Sequence, residues 1–291
     1  MSDDALIAGA AAPVGQRWIR STAVLDAGWV VVASCALIVS AFFALVDLPT
    51  ARLRTGDDPL RFFALGLPVI AIVVAAIGAA RGSVVLVAVA TGIATPGFAL
   101  AGSLGASLLL SEASAFADAG VAISITASFI GIVMLVRWFV YHPIPLLGDQ
   151  TRPVPRSGHA LIALGGLLAV ILLVSTVSGD TSWSTASVGQ TVLMSTVAAV
   201  VAAAGVTRTI AAAWLACAAS AAQLVAVLVV KAEQSTIPFD SDLVLRTGPA
   251  GLVALAVTAA ASSFAAVRVA VDVEPDVVED DTAPWRWNVD D

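Results

Sequence analysis

The sequence predicts an all-α membrane protein of about eight transmembrane helices, and three observations predict it. Of the 291 residues, 59% are hydrophobic and only 12% are charged, against roughly 25% charged in soluble domains. The mean hydropathy is +0.97, whereas a water-soluble chain of this length must cover its surface with polar side chains. Uncharged runs recur at the length a bilayer demands, since hydrocarbon about 30 Å thick needs roughly 20 apolar residues.

Eight such runs follow one another, at residues 27–46, 62–80, 83–107, 119–136, 159–179, 187–206, 209–230 and 248–267. Inside each, lipid offers the backbone no partner, so every N–H and C=O must bond within its own helix. Residues 1–23 form an N-terminal segment expected in the cytoplasm. They open with Asp3 and Asp4 rather than a basic stretch, and no small-residue cleavage site follows a short apolar core. The first helix is therefore expected to remain as an anchor.

The third run is the least regular. Its uncharged stretch reaches Ser111 and would span about 43 Å as one straight helix. Thr95, Pro96 and Gly97 lie near its middle. Proline removes an amide donor and crowds the preceding turn, so a kink, a tilt or local unwinding is expected there, with a re-entrant element as the lesser alternative.

Basic residues set the orientation, because short cytoplasmic loops are enriched in them. With the N-terminus inside, Arg17, Arg20, Arg81, Arg137, Arg152, Arg156, Arg208, Arg268 and Arg286 are cytoplasmic, leaving Arg52, Arg54, Arg61, Lys231 and Arg246 outside. The outer loops around Glu112 to Asp118 and around Asp180 carry no basic residue. The expected product is a multi-pass plasma-membrane protein with both termini cytoplasmic; an inverted topology is the weaker alternative.

Residues 24–140 and 158–271 each read as four helices with matching punctuation. Arg81 and Arg208 occupy equivalent inner turns, and Val136 with Arg137 and Val267 with Arg268 close the fourth helix of each half. Two parallel four-helix repeats would explain the match; a chance alignment of Ala/Val-rich stretches is the alternative. Between the halves, the connector 141–157 holds Pro143, Pro145, Pro153 and Pro155, which favour an extended stiff linker or a docking segment for a partner. The tail, 272–291, carries Asp272, Glu274, Asp276, Glu279, Asp280 and Asp281 and is expected to stay solvated and disordered.

Several function classes lose support here. The net charge of -7 and pI near 4.7 argue against nucleic acid, whose phosphates need clustered Lys and Arg. Cys35 and Cys217 lie far apart in apolar stretches and read as small packing residues rather than a redox or metal pair. His142 and His159 both fall at the inner edge, unsuited to ligating haem from opposing helices within the membrane. Lys231 sits at an outer helix end beside Glu233 rather than deep inside, so a retinal-type Schiff base is rejected. No cofactor is expected, and no catalytic motif or grouped acid, base and nucleophile is visible.

Asp26, Asp47, Arg137, Lys231 and Arg268 fall at the ends of runs, where arginine and lysine snorkel and carboxylates are expected to meet water. Uncharged polar groups within the runs are Thr95, Ser124, Thr126, Ser128, Gln190, Ser195, Thr196, Ser220 and Gln223. Serine and threonine commonly bond back to their own helix, whereas a glutamine amide in hydrocarbon needs a partner beyond it. Gln190, Ser220 and Gln223 are thus the candidate intramembrane contacts, with Cys217, Ser220 and Gln223 spaced to share one helix face. Glu112, Asp118, Glu233 and Asp240 are a candidate acidic outer cluster, which could attract cations or a basic partner or simply solvate the loops. Gly97, Ala101 and Gly105, and likewise Gly165 and Gly166, are expected to be close-packing positions.

Besides the lipid bilayer, a membrane-protein partner is the expected association. The reading that follows is a non-catalytic scaffold or subunit of a membrane assembly. A permease or transporter for a neutral or amphipathic solute is the alternative, and an intramembrane enzyme comes third.

Overall fold

A computed structural model of the chain describes residues 14–43, 45–47, 52–54, 61–110, 119–140, 156–177, 185–207, 209–236 and 249–273. Among them are eight α-helices: α1 (Val14–Phe43), α2 (Leu67–Arg81), α3 (Val84–Leu110), α4 (Ala119–Val140), α5 (Arg156–Val177), α6 (Thr185–Thr207), α7 (Ile210–Thr236) and α8 (Pro249–Val273). Two three-residue strands, β1 (Leu45–Asp47) and β2 (Arg52–Arg54), pair antiparallel after α1. A π-helical turn, Phe62–Gly66, leads directly into α2.

Among the described residues, five helical segments are long and apolar enough to cross a membrane: Thr22–Phe42, Phe62–Arg81, Val84–Gly102, Ile210–Val230 and Ala250–Val267. The described apolar stretches of α4, α5 and α6 are shorter, Ile125–Val140, His159–Ile171 and Ser195–Thr207. The outward faces are large and apolar. Phe129 is 66% exposed and Phe264 61%, and Trp29, Phe42, Val73 and Leu167 are also exposed. Water would not tolerate such a continuous apolar belt on a monomer, while lipid solvates it at no cost.

The turn between α2 and α3 shows how the sequence sets a tight hairpin. Gly82 adopts φ 64°, a left-handed conformation open to glycine. Its N–H donates to the Ala79 carbonyl at 3.1 Å and the Ser83 N–H donates to the Gly78 carbonyl at 2.9 Å. This is the paired closure that satisfies the last carbonyls of a helix. The Ser83 hydroxyl then accepts from the Leu86 N–H at 3.3 Å, capping the start of α3. At the start of α7, Thr209 Oγ1 accepts from the Ala212 N–H at 3.1 Å.

The helices close into two rings. In the first, α1 packs on α2, α2 on α3, α3 on α4 and α4 on α1; in the second, α5 packs on α6, α6 on α7, α7 on α8 and α8 on α5. The rings meet where α3 lies against α6 and α7. Alanine dominates the interior, including Ala33, Ala71, Ala75, Ala90, Ala94, Ala216 and Ala219 at 0% exposure. Small side chains let helix axes approach, which drives association where no hydrophobic effect operates.

The structure revises several boundaries and roles. Helix α3 continues through Pro96, so of the kink, tilt or unwinding expected there, the unwinding is absent. Thr91 Oγ1 donates to the Val87 carbonyl and Thr95 Oγ1 to the Thr91 carbonyl, both at 2.9 Å. Helix α1 begins inside the 1–23 segment, α5 begins within the 141–157 connector, and α8 passes Asp272 to end at Val273. Cys35 is exposed rather than packed. Of the two adjacent glycines in α5, a Cβ on Gly165 would press on the Ala198 carbonyl and Ala202 N–H of α6, whereas one on Gly166 would meet open space.

Candidate functional site

The most constrained polar feature ties three helices of the first ring together. Asp26 on α1 is 3% exposed and accepts from Arg137 Nε on α4 at 2.7 Å, the arginine being 35% exposed. Next to it, Trp138 Nε1 donates to Thr91 Oγ1 on α3 at 3.0 Å. Both of these side chains are buried. The Thr91 hydroxyl therefore accepts from one helix while donating to the Val87 carbonyl of its own. Consecutive residues at the end of α4 thus grip α1 and α3 at once.

This cluster corrects the expectation that Asp26 meets water. A buried carboxylate is retained only when a charge and hydrogen bonds compensate its desolvation, and Arg137 supplies both. The pair is a fastening between the first and last helices of the ring.

The tryptophan link has a small, measurable weight. Interhelical hydrogen bonds in membranes average about 0.6 kcal/mol and reach about 1.7. Trp138→Phe, which keeps the ring and removes the donor, is expected to lower the unfolding free energy in detergent by about 0.6 kcal/mol. Thr91→Val should cost a similar amount, and the double variant should cost less than the two singles added. Additive losses would mean that the two side chains do not share this bond.

The second feature is the seam between the rings. A Cβ built on Gly92 of α3 would press on the Leu215 carbonyl oxygen of α7, with the Ala218 Cβ at 2.8 Å and the Ala219 N–H nitrogen at 3.0 Å. The two backbones are in direct contact. On the other side of α3, a Cβ on Gly97 would meet the Phe63 carbonyl of the π-helical turn at 3.0 Å. Gly131 of α4 makes room in the same way for the Phe98 ring.

Of the predicted intramembrane contacts, Ser220 and Gln223 are completely buried in α7, and Gln223 has an interaction partner. Cys217, expected on the same face, is half-buried. The Ser34, Ser220 and Ser262 hydroxyls have no hydrogen-bond partner among the described residues. Gln190 lies in α6 and Glu233 in α7, with their side chains outside the described residues. Glu112, Asp118 and Asp240 lie wholly outside them, so the acidic cluster has no described geometry. Thr95 and Ser128 are buried, while Thr126 and Ser195 are exposed. Sequence reasoning missed the fastening of Asp26, Arg137, Trp138 and Thr91. Its signal was a lone carboxylate just outside the run at 27–46 but four residues inside the apolar segment Thr22–Phe42 of α1.

No family model, curated protein or solved structure matches this chain.

Proposed function

We propose that this chain is a non-catalytic scaffold or subunit of a plasma-membrane assembly, crossing the bilayer eight times with both termini cytoplasmic. The observation that carries the reading is the seam at Gly92, where α3 and α7 touch backbone to backbone. A solute path along the junction of the two rings would need space at this level, and helix backbone occupies it. Two polar contacts in the first ring likewise join helix to helix, Asp26 with Arg137 and Trp138 with Thr91. The excess of arginine in the loops assigned inside supports the orientation.

Purification of the tagged full chain from its native membrane in mild detergent tests the role. The expected result is a stoichiometric membrane-protein companion that survives size-exclusion chromatography. A lone monodisperse species would count against the proposal. One observation favours the second reading, a permease for a neutral or amphipathic solute. Ser220 and Gln223 place polar side chains at complete burial in α7. Reconstituted vesicles separate the two, because a permease releases a trapped neutral solute faster than protein-free vesicles and a scaffold does not.

A further inference from the structure

We propose that the second ring holds a site for a small neutral solute that both donates and accepts hydrogen bonds, a short polyol being the simplest. It lies between the inward faces of α7 and α8, lined by Ser220, Gln223, Thr258 and Ser262. The inference rests on the bilayer-spanning reading. Such a site suits a solute-sensing scaffold and a permease alike, so it goes beyond the choice between them.

Two hydroxyls mark the site by breaking a rule that others in the chain keep. Serine and threonine inside helices ordinarily bond back to a carbonyl of their own helix. Ser40, Thr91, Thr95 and Thr258 do so, at 2.7 to 2.9 Å. Ser220 and Ser262 are at 0% exposure, yet their hydroxyls have no hydrogen-bond partner among the described residues. A buried hydroxyl in that position forfeits its hydration outright, and native structures answer the loss with a protein, water or ligand partner. The similarly placed Ser34 lies apart, on α1 of the first ring.

Packing turns these groups toward one interior. A Cβ on Gly92 would meet Leu215, Ala218 and Ala219, so that side of α7 faces α3. At about 100° per residue, Ser220 and Gln223 lie about 200° and 140° round the helix from Ala218, turned away from α3. Both are completely buried, and the α-helices that cover the rest of α7 are α6 and α8. They therefore point into their own ring. Helix α8 has a buried stripe through Gly251, Leu255, Thr258, Ser262 and Ala265, and it packs on α7 and α5. Its stripe faces the same interior.

Depth brings them together as well. The segments Ile210–Val230 and Ala250–Val267 run antiparallel as consecutive spans, with Ile210 and Val267 at one surface. Ser262 is five residues from Val267 and Thr258 nine, while Ser220 is ten from Ile210 and Gln223 thirteen. At 1.5 Å per residue their depths are about 8, 14, 15 and 20 Å. Thr258 and Ser220 thus come level near the middle of a hydrocarbon layer about 30 Å thick, with Ser262 and Gln223 to either side.

The chemistry of the lining selects the solute. Hydroxyls and a carboxamide both donate and accept, and among the described residues no charged side chain is buried in α5–α8. An ion would find no opposite charge to offset its desolvation. A neutral molecule bearing hydroxyls matches the lining group for group.

The test uses the full-length chain with Cys35→Ala and Cys217→Ala in detergent. Ser220→Cys, Ser262→Cys and two controls are each treated with methyl methanethiosulfonate, a small neutral reagent consumed by the thiolate that only a hydrated cysteine forms. The controls are Ala219→Cys, on the side of α7 that meets α3, and Val225→Cys, 46% exposed on the apolar belt. Both site cysteines should react about tenfold faster than either control. Glycerol should slow them about threefold, while sucrose at equal osmolarity, too large to enter, leaves the rates unchanged. Site cysteines no faster than Ala219→Cys overturn the proposal and leave the scaffold reading untouched. Equal slowing by the two sugars and polyols, or none by glycerol, overturns it too.

A second measurement decides the case if a cysteine variant loses its monodisperse peak. The Tm of the unaltered chain is compared with that of Ser220→Ala plus Ser262→Ala, each with and without glycerol or sucrose. Excluded osmolytes stabilise both proteins alike, whereas a bound solute adds stability only where its site is intact. Glycerol should therefore raise the Tm of the unaltered chain more than that of the double variant, and sucrose should raise both equally. An equal rise in glycerol overturns the proposal.

Discussion

Arg137→Ala is expected to destabilise the protein by about 3–5 kcal/mol, while Asp26→Asn costs much less, about 1–2 kcal/mol. The asymmetry follows from burial. Removing the arginine strands a carboxylate that is 3% exposed between α1 and α4, with its 2.7 Å donor gone. Removing the acid leaves an arginine that is 35% exposed, whose long stem can swing its head toward water or lipid headgroups. Asparagine also keeps an acceptor for Nε. Replacing both residues by leucine should restore most of the loss, because a buried ion pair seldom outperforms apolar packing of similar volume. Thermal unfolding in detergent checks the ranking. A larger loss for Asp26→Asn than for Arg137→Ala would mean that the arginine, and not the carboxylate, is the trapped charge.

That fastening also marks where reading the sequence stops. Hydropathy reports depth in the bilayer, and each of the eight uncharged runs falls largely within one helix of the structure. Depth carries no information about azimuth. Asp26 and Arg137 were both visible at the ends of runs, yet only packing could reveal that α1 and α4 turn those two positions toward each other. Ser220 and Gln223 were legible for the opposite reason, since their spacing along one helix already defines a common face.

Boundaries went astray for a related cause. An apolar scan finds the lipid-soluble part of a helix, whereas the hydrogen-bonded ladder continues into polar sequence. Hence α1 starts at Val14, before Arg17 and Arg20, and α8 runs past Arg268 to Val273. The β1–β2 hairpin was hidden because strands of three residues show no usable alternation. Its register sets Asp47 opposite Arg52 in the backbone ladder, a pairing that no local pattern discloses. Continuation of α3 through Pro96 was equally unreadable, because neighbouring helices and threonine hydroxyls can re-satisfy a proline-interrupted ladder inside a bundle.

Glycine variants in the helices should split by sign. At Gly166, where a Cβ meets nothing within 4 Å, Gly166→Ala is expected to stabilise α5 by about 0.5–1 kcal/mol through helix propensity alone. Gly28→Ala belongs to the same class, its Cβ also reaching open space. Gly92→Ala gains the same propensity but drives a methyl group into the Leu215 carbonyl and the Ala219 N–H of α7. Backbone cannot rotate aside as a side chain can, so α3 and α7 must separate. Overpacking of this kind costs about 1–3 kcal/mol, and Gly92→Leu should abolish the monodisperse folded peak in detergent. Gly131→Ala should fall between these extremes, because its obstacle is the Phe98 ring, a side chain with some freedom to turn. The order Gly166, Gly131, Gly92 in falling Tm is the expected result. A Gly92→Ala variant as stable as Gly166→Ala would mean that the backbones do not touch, and the junction of the rings would then have room for a solute.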